Sequence, residues 1–210
     1  MKISAIIPVK TFSNAKSRLN LANDVKEQLC KIMFEEVLHT ISIANSIDSV
    51  IIVSKDQEVF DIAKKFNVIE IEDKTESGVN NAVSLADEYL NKNSFDASIV
   101  FPQDIPFMKT QDIDFLLQFQ SSPNCTLIVP SRKFDGTNAL LRMPTNLMET
   151  HYDEDSYKIH LNVGREKTKN TSLVFVKRIM MDIDDDSDLK YCLHQKEKLD
   201  FCNKITKLLE

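Results

Sequence analysis

The chain has 210 residues, with 26 basic and 32 acidic side chains, a formal charge of −6 and 42% hydrophobic residues. This length and composition fit one globular domain with a substantial core, and they exclude a disordered chain. The acidic balance argues against a general binder of nucleic acid or membrane surfaces, and no apolar run approaches the roughly 18 residues that a membrane span needs.

Two kinds of apolar pattern alternate along the chain. Short runs rich in Val and Ile predict buried strands at residues 3–8, 49–54, 67–71, 97–101, 126–130 and 173–179. Apolar residues at helical spacing predict helices at residues 25–41, 59–66, 79–90, 110–120, 154–167 and 187–199. This alternation predicts a three-layer α/β/α fold with a mostly parallel sheet, in which ligands bind at the carboxyl ends of the strands.

The cysteines and the first residues bear on the compartment. The sequence has no C-x-x-C pair among its four cysteines, Cys30, Cys125, Cys192 and Cys202. Neither a zinc site nor a disulfide framework is therefore indicated, and buried reduced thiols are expected. The opening apolar segment is short and interrupted by Pro8, unlike a secretory signal. We expect a cytoplasmic protein in which residues 1–210 form one domain.

Positive charge is concentrated where the first predicted strand ends. Residues 1–23 contain Lys2, Lys10, Lys16 and Arg18, and all 32 acidic residues follow them. A loop of lysines, an arginine and hydroxyls after a buried strand suits a polyphosphate. The loop lacks the glycines of G-x-G-x-x-G and G-x-x-x-x-G-K-[ST], which argues against a Rossmann dehydrogenase or a P-loop NTPase. A solvated surface loop has the same composition and stays open as an alternative.

Three carboxylates follow predicted strands. Asp104 lies between Pro102 and Pro106, just after the strand that ends near residue 101. Asp182 and Asp184 are expected to end a long last strand and, being two residues apart, to share a face. Three convergent carboxylates form a hard-oxygen site, which suits Mg²⁺ and substrate phosphates.

Other polar residues nearby are expected to have structural roles. Asp185, Asp186 and Asp188 precede or begin the last predicted helix, where acids are favoured. Asp186 or Ser187 is the expected cap of that helix. His160 is expected to have an ordinary half-buried role.

A second polar group is a candidate for binding an acceptor. Thr137 and Asn138 follow Gly136 at the start of a further strand-like run and present side-chain donors. Ser156 begins a helical pattern whose free N–H groups suit a carboxylate or phosphate. The acidic stretch at residues 153–155 would repel an anion there, and a plain hairpin turn at Gly136 is the simpler alternative.

Several segments, taken together, resemble the 2-phospho-L-lactate guanylyltransferase family. They occur in the family's order between residues 8 and 189: Pro8-Val9-Lys10, Ala15-Lys16-Ser17-Arg18-Leu19, Asp104-Ile105-Pro106, Gly136-Thr137-Asn138-Ala139-Leu140, Ser156-x-x-x-His160-Leu161 and Asp182-Ile183-Asp184-x-x-x-Asp188-Leu189. The resemblance implies a GT-A-like nucleotidyltransferase fold and a role in making the deazaflavin coenzyme F(420). In this family GTP condenses with 2-phospholactate, phosphoenolpyruvate or 3-phosphoglycerate, and pyrophosphate is released.

The resemblance also implies roles for the nucleotide-binding residues. Lys10, Lys16 and Arg18 would hold the triphosphate, and Asn80 would lie near the nucleoside. Lys16 and Arg18 would also stabilise the leaving pyrophosphate.

By the same resemblance, Asp104, Asp182 and Asp184 would ligate Mg²⁺, with Asp104 also close to the nucleotide. Thr137 and Ser156 would seat the acceptor, beside Asn138. The expected partners are GTP and a small phosphorylated carboxylic acid, with no nucleic acid and no membrane, and a homodimer stays open.

Two other functions stay open on the sequence. One is a nucleotidyltransferase with another acceptor, such as a sugar phosphate or molybdopterin, which the acidic stretch at residues 153–155 permits. The other is a nucleotide-binding sensor without turnover, against which the three candidate carboxylates argue, because binding alone does not demand a metal cluster.

Overall fold

The computed structural model describes residues 1–14, 16–152, 155–195 and 197–210. The strands are β1 (Ile3–Val9), β2 (Ser49–Ser54), β3 (Ile69–Glu72), β4 (Ala97–Val100), β5 (Cys125–Pro130), β6 (Thr137–Met143) and β7 (Thr171–Leu173). The helices are α1 (Asn23–Ser42), α2 (Gln57–Ala63), α3 (Val79–Lys92), α4 (Thr110–Leu117), α5 (Ser156–Lys167), α6 (Asp186–Leu193) and α7 (Leu199–Leu209). A short 3₁₀ turn, Phe12–Asn14, follows β1.

All seven strands form one mostly parallel sheet, as predicted, in the order β3-β2-β1-β4-β6-β5-β7. Strand β6 is antiparallel to both of its neighbours, β4 and β5. The start of β6 therefore lies at the sheet edge where β4 and β5 end. This reversal brings Thr137 and Asn138 to the edge where the other strands end.

Helices cover both faces of the sheet because the central strands are apolar on both sides. In β1, Ile3, Ala5 and Ile7 face a large core that includes buried residues of α1, α2, α4, α6 and α7, whereas Ile6 faces a smaller core with α3 and α5. This is the period of two that a strand imposes on its side chains. Of the described helices, none is long and apolar enough to cross a membrane.

The last predicted strand is wrong in length. Strand β7 covers Thr171–Leu173, with one further hydrogen bond from the Val174 N–H to Ile128 of β5, and the chain then turns at residues 177–180 rather than continuing as a strand to residue 179. The reason lies in the strand order. Strand β7 is at the sheet edge, so the chain must leave it and cross β5 and β6 to bring residues 182–184 beside the end of β4.

The last predicted helix is also wrong. It begins at Asp186 with Asp185 as its cap, rather than Asp186 or Ser187, because the Asp185 carboxylate accepts hydrogen bonds from the backbone N–H groups of Ser187 and Asp188. The helix ends at Leu193, since residues 194–198 are polar and do not continue its buried stripe. A separate helix, α7, then follows and was not predicted. The start predicted for α5, at residue 154, lies outside the described residues.

Two glycines lie at positions that disfavour a side chain. Gly78 caps the start of α3 with φ of 115°, a backbone conformation that favours glycine. A Cβ on Gly164 would lie 2.8 Å from Thr171 Cγ2, so α5 packs against β7 at a distance that excludes a side chain.

Candidate active site

Two overlapping cavities, of about 360 and 770 Å³, open at the carboxyl edge of the sheet. They share eight lining residues, which come from the loops after β1 and β4, the starts of α3 and β6, and the segments before α5 and α6. These residues are Lys10, Arg18, Val79, Pro102, Asp104, Thr137, Tyr152 and Asp184. The site therefore lies where an α/β sheet is expected to bind its ligand.

Lys16 connects the basic loop to the carboxylates. Its ammonium donates hydrogen bonds to Asp104 Oδ2 and, at 2.6 Å, to Asp184 Oδ1. Only 7% of the Lys16 side chain is exposed. Lys16 has a positive φ of 57°, a conformation that is uncommon outside glycine and often marks functional sites.

Charge pairing governs the ionisation of this group. Burial alone would lower the pKa of Lys16, but the carboxylates of Asp104 and Asp184 outweigh it and the pKa is raised. Burial acts to raise the pKa of Asp184, yet the Lys16 charge and hydrogen bond leave it below its usual value. The ammonium and the Asp184 carboxylate are therefore both charged at neutral pH.

Asp182 has a different environment. Burial, followed by the charges of Asp104 and Asp184, raises the pKa of Asp182 to about 7. Ile183 between the two aspartates is fully buried, and its N–H donates to the carbonyl oxygen of Asp104 at 3.1 Å. That backbone hydrogen bond, rather than the predicted strand, brings the three carboxylates to one region.

The three carboxylates predicted to bind a metal ion are not arranged as a metal site among the described residues. Among the described residues, no group of three or more His, Cys, Asp or Glu side chains is arranged to hold a metal ion. The Lys16 ammonium instead lies between Asp104 and Asp184. Asp104 Oδ1 is nevertheless buried without a hydrogen-bond partner in the part of the chain that the structure describes.

Two further cations line both cavities. Lys10 and Arg18 are exposed, and neither forms an ion pair with any other described residue. Asn80 is placed differently. Its Oδ1 accepts a hydrogen bond from the Tyr152 backbone N–H at 2.8 Å, and among the described residues Val79, rather than Asn80, lines the cavities.

The candidate acceptor residues come together at one end of the larger cavity. Thr137, Asn138 and Ser156 all line it, and all three are buried. The Ser156 hydroxyl donates to Thr137 Oγ1 at 3.1 Å, and the Asn138 amide donates to the Ile179 carbonyl at 3.0 Å. Of the acidic stretch before Ser156, Asp153 and Glu154 lie outside the described residues, and Asp155 pairs with Lys158 at 3.1 Å.

Two of the cavity residues that were not predicted have a buried polar atom without a hydrogen-bond partner among the described residues. Tyr152 lines both cavities, and its hydroxyl is buried without a partner among the described residues. Gln103 lines the smaller cavity, and its Oε1 is also buried without a hydrogen-bond partner among the described residues. Neither lies in a pattern that indicates a ligand, and only their neighbours in the fold reveal them.

Comparison with known proteins identifies the family of the chain. The profile of the family described as "Guanylyl transferase CofC like" matches residues 3–206. The chain belongs to this family. It is 30% identical to the 2-phospho-L-lactate guanylyltransferase of Methanobrevibacter smithii, over 89% of this chain and 82% of that protein. It is 28% identical to the phosphoenolpyruvate guanylyltransferase of Conexibacter woesei, over 90% and 86% of the two chains.

Solved structures support the GT-A-like nucleotidyltransferase fold of this CofC-like chain. A protein of Desulfovibrio desulfuricans G20 described as a nucleotide-diphospho-sugar transferase superposes with a TM-score of 0.75 at 13% identity, covering 99% of this chain and 97% of that one. The 4-diphosphocytidyl-2C-methyl-D-erythritol synthase of Anaerococcus prevotii superposes with a TM-score of 0.61 at 13% identity, covering 90% and 93%. The predicted fold class is confirmed.

Proposed function

We propose that the protein transfers the guanylyl group of GTP to 2-phospho-L-lactate or phosphoenolpyruvate, releasing pyrophosphate, as a step in making coenzyme F(420). The observation that carries the proposal is the group formed by Lys16, Asp104 and Asp184 at the sheet edge, beside the exposed cations Lys10 and Arg18. Family membership supplies the guanylyl donor, and the names of the relatives supply the two acceptors.

The basic loop is suited to the triphosphate of GTP. Lys10 and Arg18 lack carboxylate partners among the described residues, so their charges are available to phosphate oxygens. Lys16, which pairs with Asp104 and Asp184, lines the smaller cavity together with Lys10 and Arg18. We assign Lys10, Lys16 and Arg18 to the triphosphate, with Lys16 and Arg18 acting on the leaving pyrophosphate.

The carboxylates fit Mg²⁺ as a donor set. All three ligands are hard oxygens, Asp104 Oδ1 is buried and unpartnered among the described residues, and Asp182 is close enough to the other two to have its pKa raised. Asp104, Asp182 and Asp184 would therefore hold the ion once the Lys16 ammonium turns to the phosphates. Bound there, Mg²⁺ supplies positive charge at the phosphate oxygens of the reacting nucleotide.

The chemistry requires positioning more than proton transfer. The acceptor's phosphate oxygen attacks the α-phosphorus of GTP in line, the new P–O bond forms, and the bond to the bridging oxygen of pyrophosphate breaks. A phosphate monoester has a second pKa near 6 and is mostly a dianion at neutral pH, so no general base is needed. Thr137, Asn138 and Ser156 orient the acceptor, and the cations stabilise the charge that develops on the leaving group.

Pyrophosphate release measures the proposed reaction. The purified protein would be incubated with GTP and Mg²⁺ together with 2-phospholactate, phosphoenolpyruvate or 3-phosphoglycerate, in parallel with CTP and ATP in place of GTP. We expect release with GTP and one acceptor, and its loss on adding EDTA. If these three acceptors give no release and a sugar phosphate or molybdopterin offered in their place does, the assigned acceptor class is contradicted and the protein is a nucleotidyltransferase with another acceptor.

A matched pair of variants tests the site. Asp104→Asn removes one carboxylate charge from the cavity, whereas Asp61→Asn removes one from an exposed pair with Lys64. We expect Asp104→Asn to lose turnover by at least 100-fold while GTP still binds, and Asp61→Asn to match the wild type. A wild-type protein that binds GTP and has no turnover with any acceptor would favour the sensor over the enzyme.

A further inference from the structure

His160 lies behind the acceptor end of the larger cavity. It is in the first turns of α5 and is fully buried, rather than half-buried as expected from the sequence. Its Nδ1 lies 2.9 Å from Thr137 Oγ1, and its Nε2 accepts a hydrogen bond from the His151 backbone N–H at 2.8 Å. The imidazole therefore connects the wall of the cavity to the segment that precedes α5.

These contacts determine the tautomer of His160. Burial, followed by the charges of His151 and Arg142, lowers the pKa of His160 to about 3, so the ring is neutral at physiological pH. A neutral imidazole carries one ring proton. Because Nε2 accepts from a backbone N–H, that proton is on Nδ1. His160 is thus a hydrogen-bond donor to Thr137 Oγ1.

These contacts leave the Thr137 hydroxyl free to act only as a hydrogen-bond donor. Its oxygen accepts from His160 Nδ1 and also from the Ser156 hydroxyl at 3.1 Å, which uses both of its lone pairs. Its own proton must point elsewhere, and Thr137 lines both cavities beside Arg18 and Asp104. The cavity that Thr137 lines is then where this proton can find an acceptor.

We propose that His160 is a positioning residue that fixes the Thr137 hydroxyl as a hydrogen-bond donor to an anionic oxygen of the acceptor. The inference rests on the proposed function for the identity of the acceptor, and on the described contacts for the direction of the hydrogen bonds. A freely rotating hydroxyl would be donor or acceptor with equal ease. Two fixed donors on its oxygen make it a donor only, which favours a carboxylate or phosphate over a neutral ligand.

His160 has a second contact that must be separated from the first. The Tyr152 ring packs edge-on against it, with ring centroids 4.9 Å apart, and Tyr152 also lines the cavities. Loss of the imidazole would therefore disturb Tyr152 as well as Thr137. Two substitutions distinguish these effects because each retains one end of the ring's hydrogen bonding.

The amide group of Asn occupies the region of the imidazole Nδ1, and that of Gln occupies the region of Nε2. His160→Asn keeps a donor for Thr137, whereas His160→Gln keeps an acceptor for the His151 N–H and loses the donor. Because the lost hydrogen bond to a charged group changes affinity by one to two orders of magnitude, we expect the acceptor KM of His160→Gln to rise roughly 10- to 100-fold. The GTP KM should change less than about twofold. In His160→Asn the acceptor KM should stay close to that of the wild type.

Thr137→Val closes a double-mutant cycle. It should raise the acceptor KM as much as His160→Gln does, and the double variant should be no worse than Thr137→Val alone, because both remove one donor. His39→Gln, at an exposed histidine of α1, is the matched control and should leave both KM values unchanged. Additive effects in the double variant, or equal rises in the KM values for GTP and acceptor, would overturn the inference.

The ring nitrogens of His160 give a readout that needs no turnover. Long-range ¹⁵N correlation spectra of the ligand-free wild type should show the Nδ1–H tautomer, unchanged between about pH 5 and 9. An Nε2–H tautomer, or a titration midpoint within that range, would overturn the inference. A wild type without turnover would contradict the proposed function alone, whereas an active wild type with a normal acceptor KM in His160→Gln would contradict this inference alone.

Discussion

Replacing Lys16 by Met tests the electrostatics of the site without requiring turnover. Met has nearly the length of Lys but no charge. The substitution leaves the partly buried carboxylates of Asp104 and Asp184 without their ammonium partner, beside Asp182, whose pKa is already raised to about 7. We expect a large loss of stability that depends on pH.

The magnitude follows from the exposure of the partners. Removing one member of a buried ion pair typically costs about 3–5 kcal/mol. The Asp104 side chain is 17% exposed, but that of Asp184 is 39% exposed and is partly rehydrated once Lys16 is gone. We therefore expect the lower end, about 3 kcal/mol, which corresponds to a fall in Tm of about 6–12 °C for a chain of this size.

The carboxylates determine whether the loss of stability in Lys16→Met grows or shrinks as the pH falls. Lys16 holds the pKa of Asp184 in the folded protein below its value in the unfolded chain. The ion pair therefore stabilises the fold at pH values above the unfolded pKa, and this stabilisation is lost as the pH falls through the folded pKa. The difference in unfolding free energy between wild type and Lys16→Met should therefore be largest near pH 7 and shrink towards pH 4 and below.

Urea unfolding at a series of pH values measures this difference. The matched control is Lys65→Met, which removes the charge of an exposed pair with Glu35 and should cost less than about 1 kcal/mol at every pH. Millimolar Mg²⁺ should recover more stability in Lys16→Met than in the control. A Lys16→Met deficit below 1 kcal/mol, or one that grows on acidification, would refute the reasoning.

Three further predictions concern the scaffold and use urea unfolding. Arg142 is 1% exposed and forms a bidentate pair with Asp87, so Asp87→Ala should cost about 3–5 kcal/mol, and adding Arg142→Met should recover part of it. Gly164→Ala should destabilise by about 1–3 kcal/mol despite the better helix propensity of Ala, and Thr171→Ala should relieve the loss. Asp185→Ala should cost about 1 kcal/mol by removing the cap of α6, whereas Asp185→Asn should retain most of it. Three outcomes would contradict these accounts: an unchanged unfolding free energy in Asp87→Ala, a loss in Gly164→Ala that Thr171→Ala does not reduce, or equal losses in the two Asp185 variants.

Much of the fold was predictable because the central strands are apolar on both faces. The predicted strand at residues 49–54 matches β2, and the pattern at residues 79–90 falls within α3. The end of the chain was wrongly predicted, because Val174 and Val176 keep the strand-like spacing of two although no strand continues there, and the helical spacing of Phe201, Cys202 and Ile205 in α7 was missed. Val174, Val176 and Ile179 are buried in the core while residues 177–180 form a turn.

The site was predictable in its residue types and not in its contacts. Residue order placed Asp104 after a strand, but only the fold shows that Lys16 lies between it and Asp184. The spacing of two residues grouped Asp182 with Asp184 for the wrong reason, since a backbone hydrogen bond from Ile183 holds them rather than a strand. The role of His160 depends on partners 9 and 23 residues away in sequence, which no local pattern reveals.

The product of the reaction tests the central claim most directly. Wild-type protein would be incubated with GTP, Mg²⁺ and phosphoenolpyruvate or 2-phospholactate, and the mixture examined by ³¹P NMR and mass spectrometry. The account predicts a guanylylated diphosphate, with the mass of GTP plus acceptor less pyrophosphate and two coupled diphosphate resonances, formed in equal amount with pyrophosphate. GTP that is recovered intact, or hydrolysed to GMP without a phosphoanhydride to the acceptor, would contradict it.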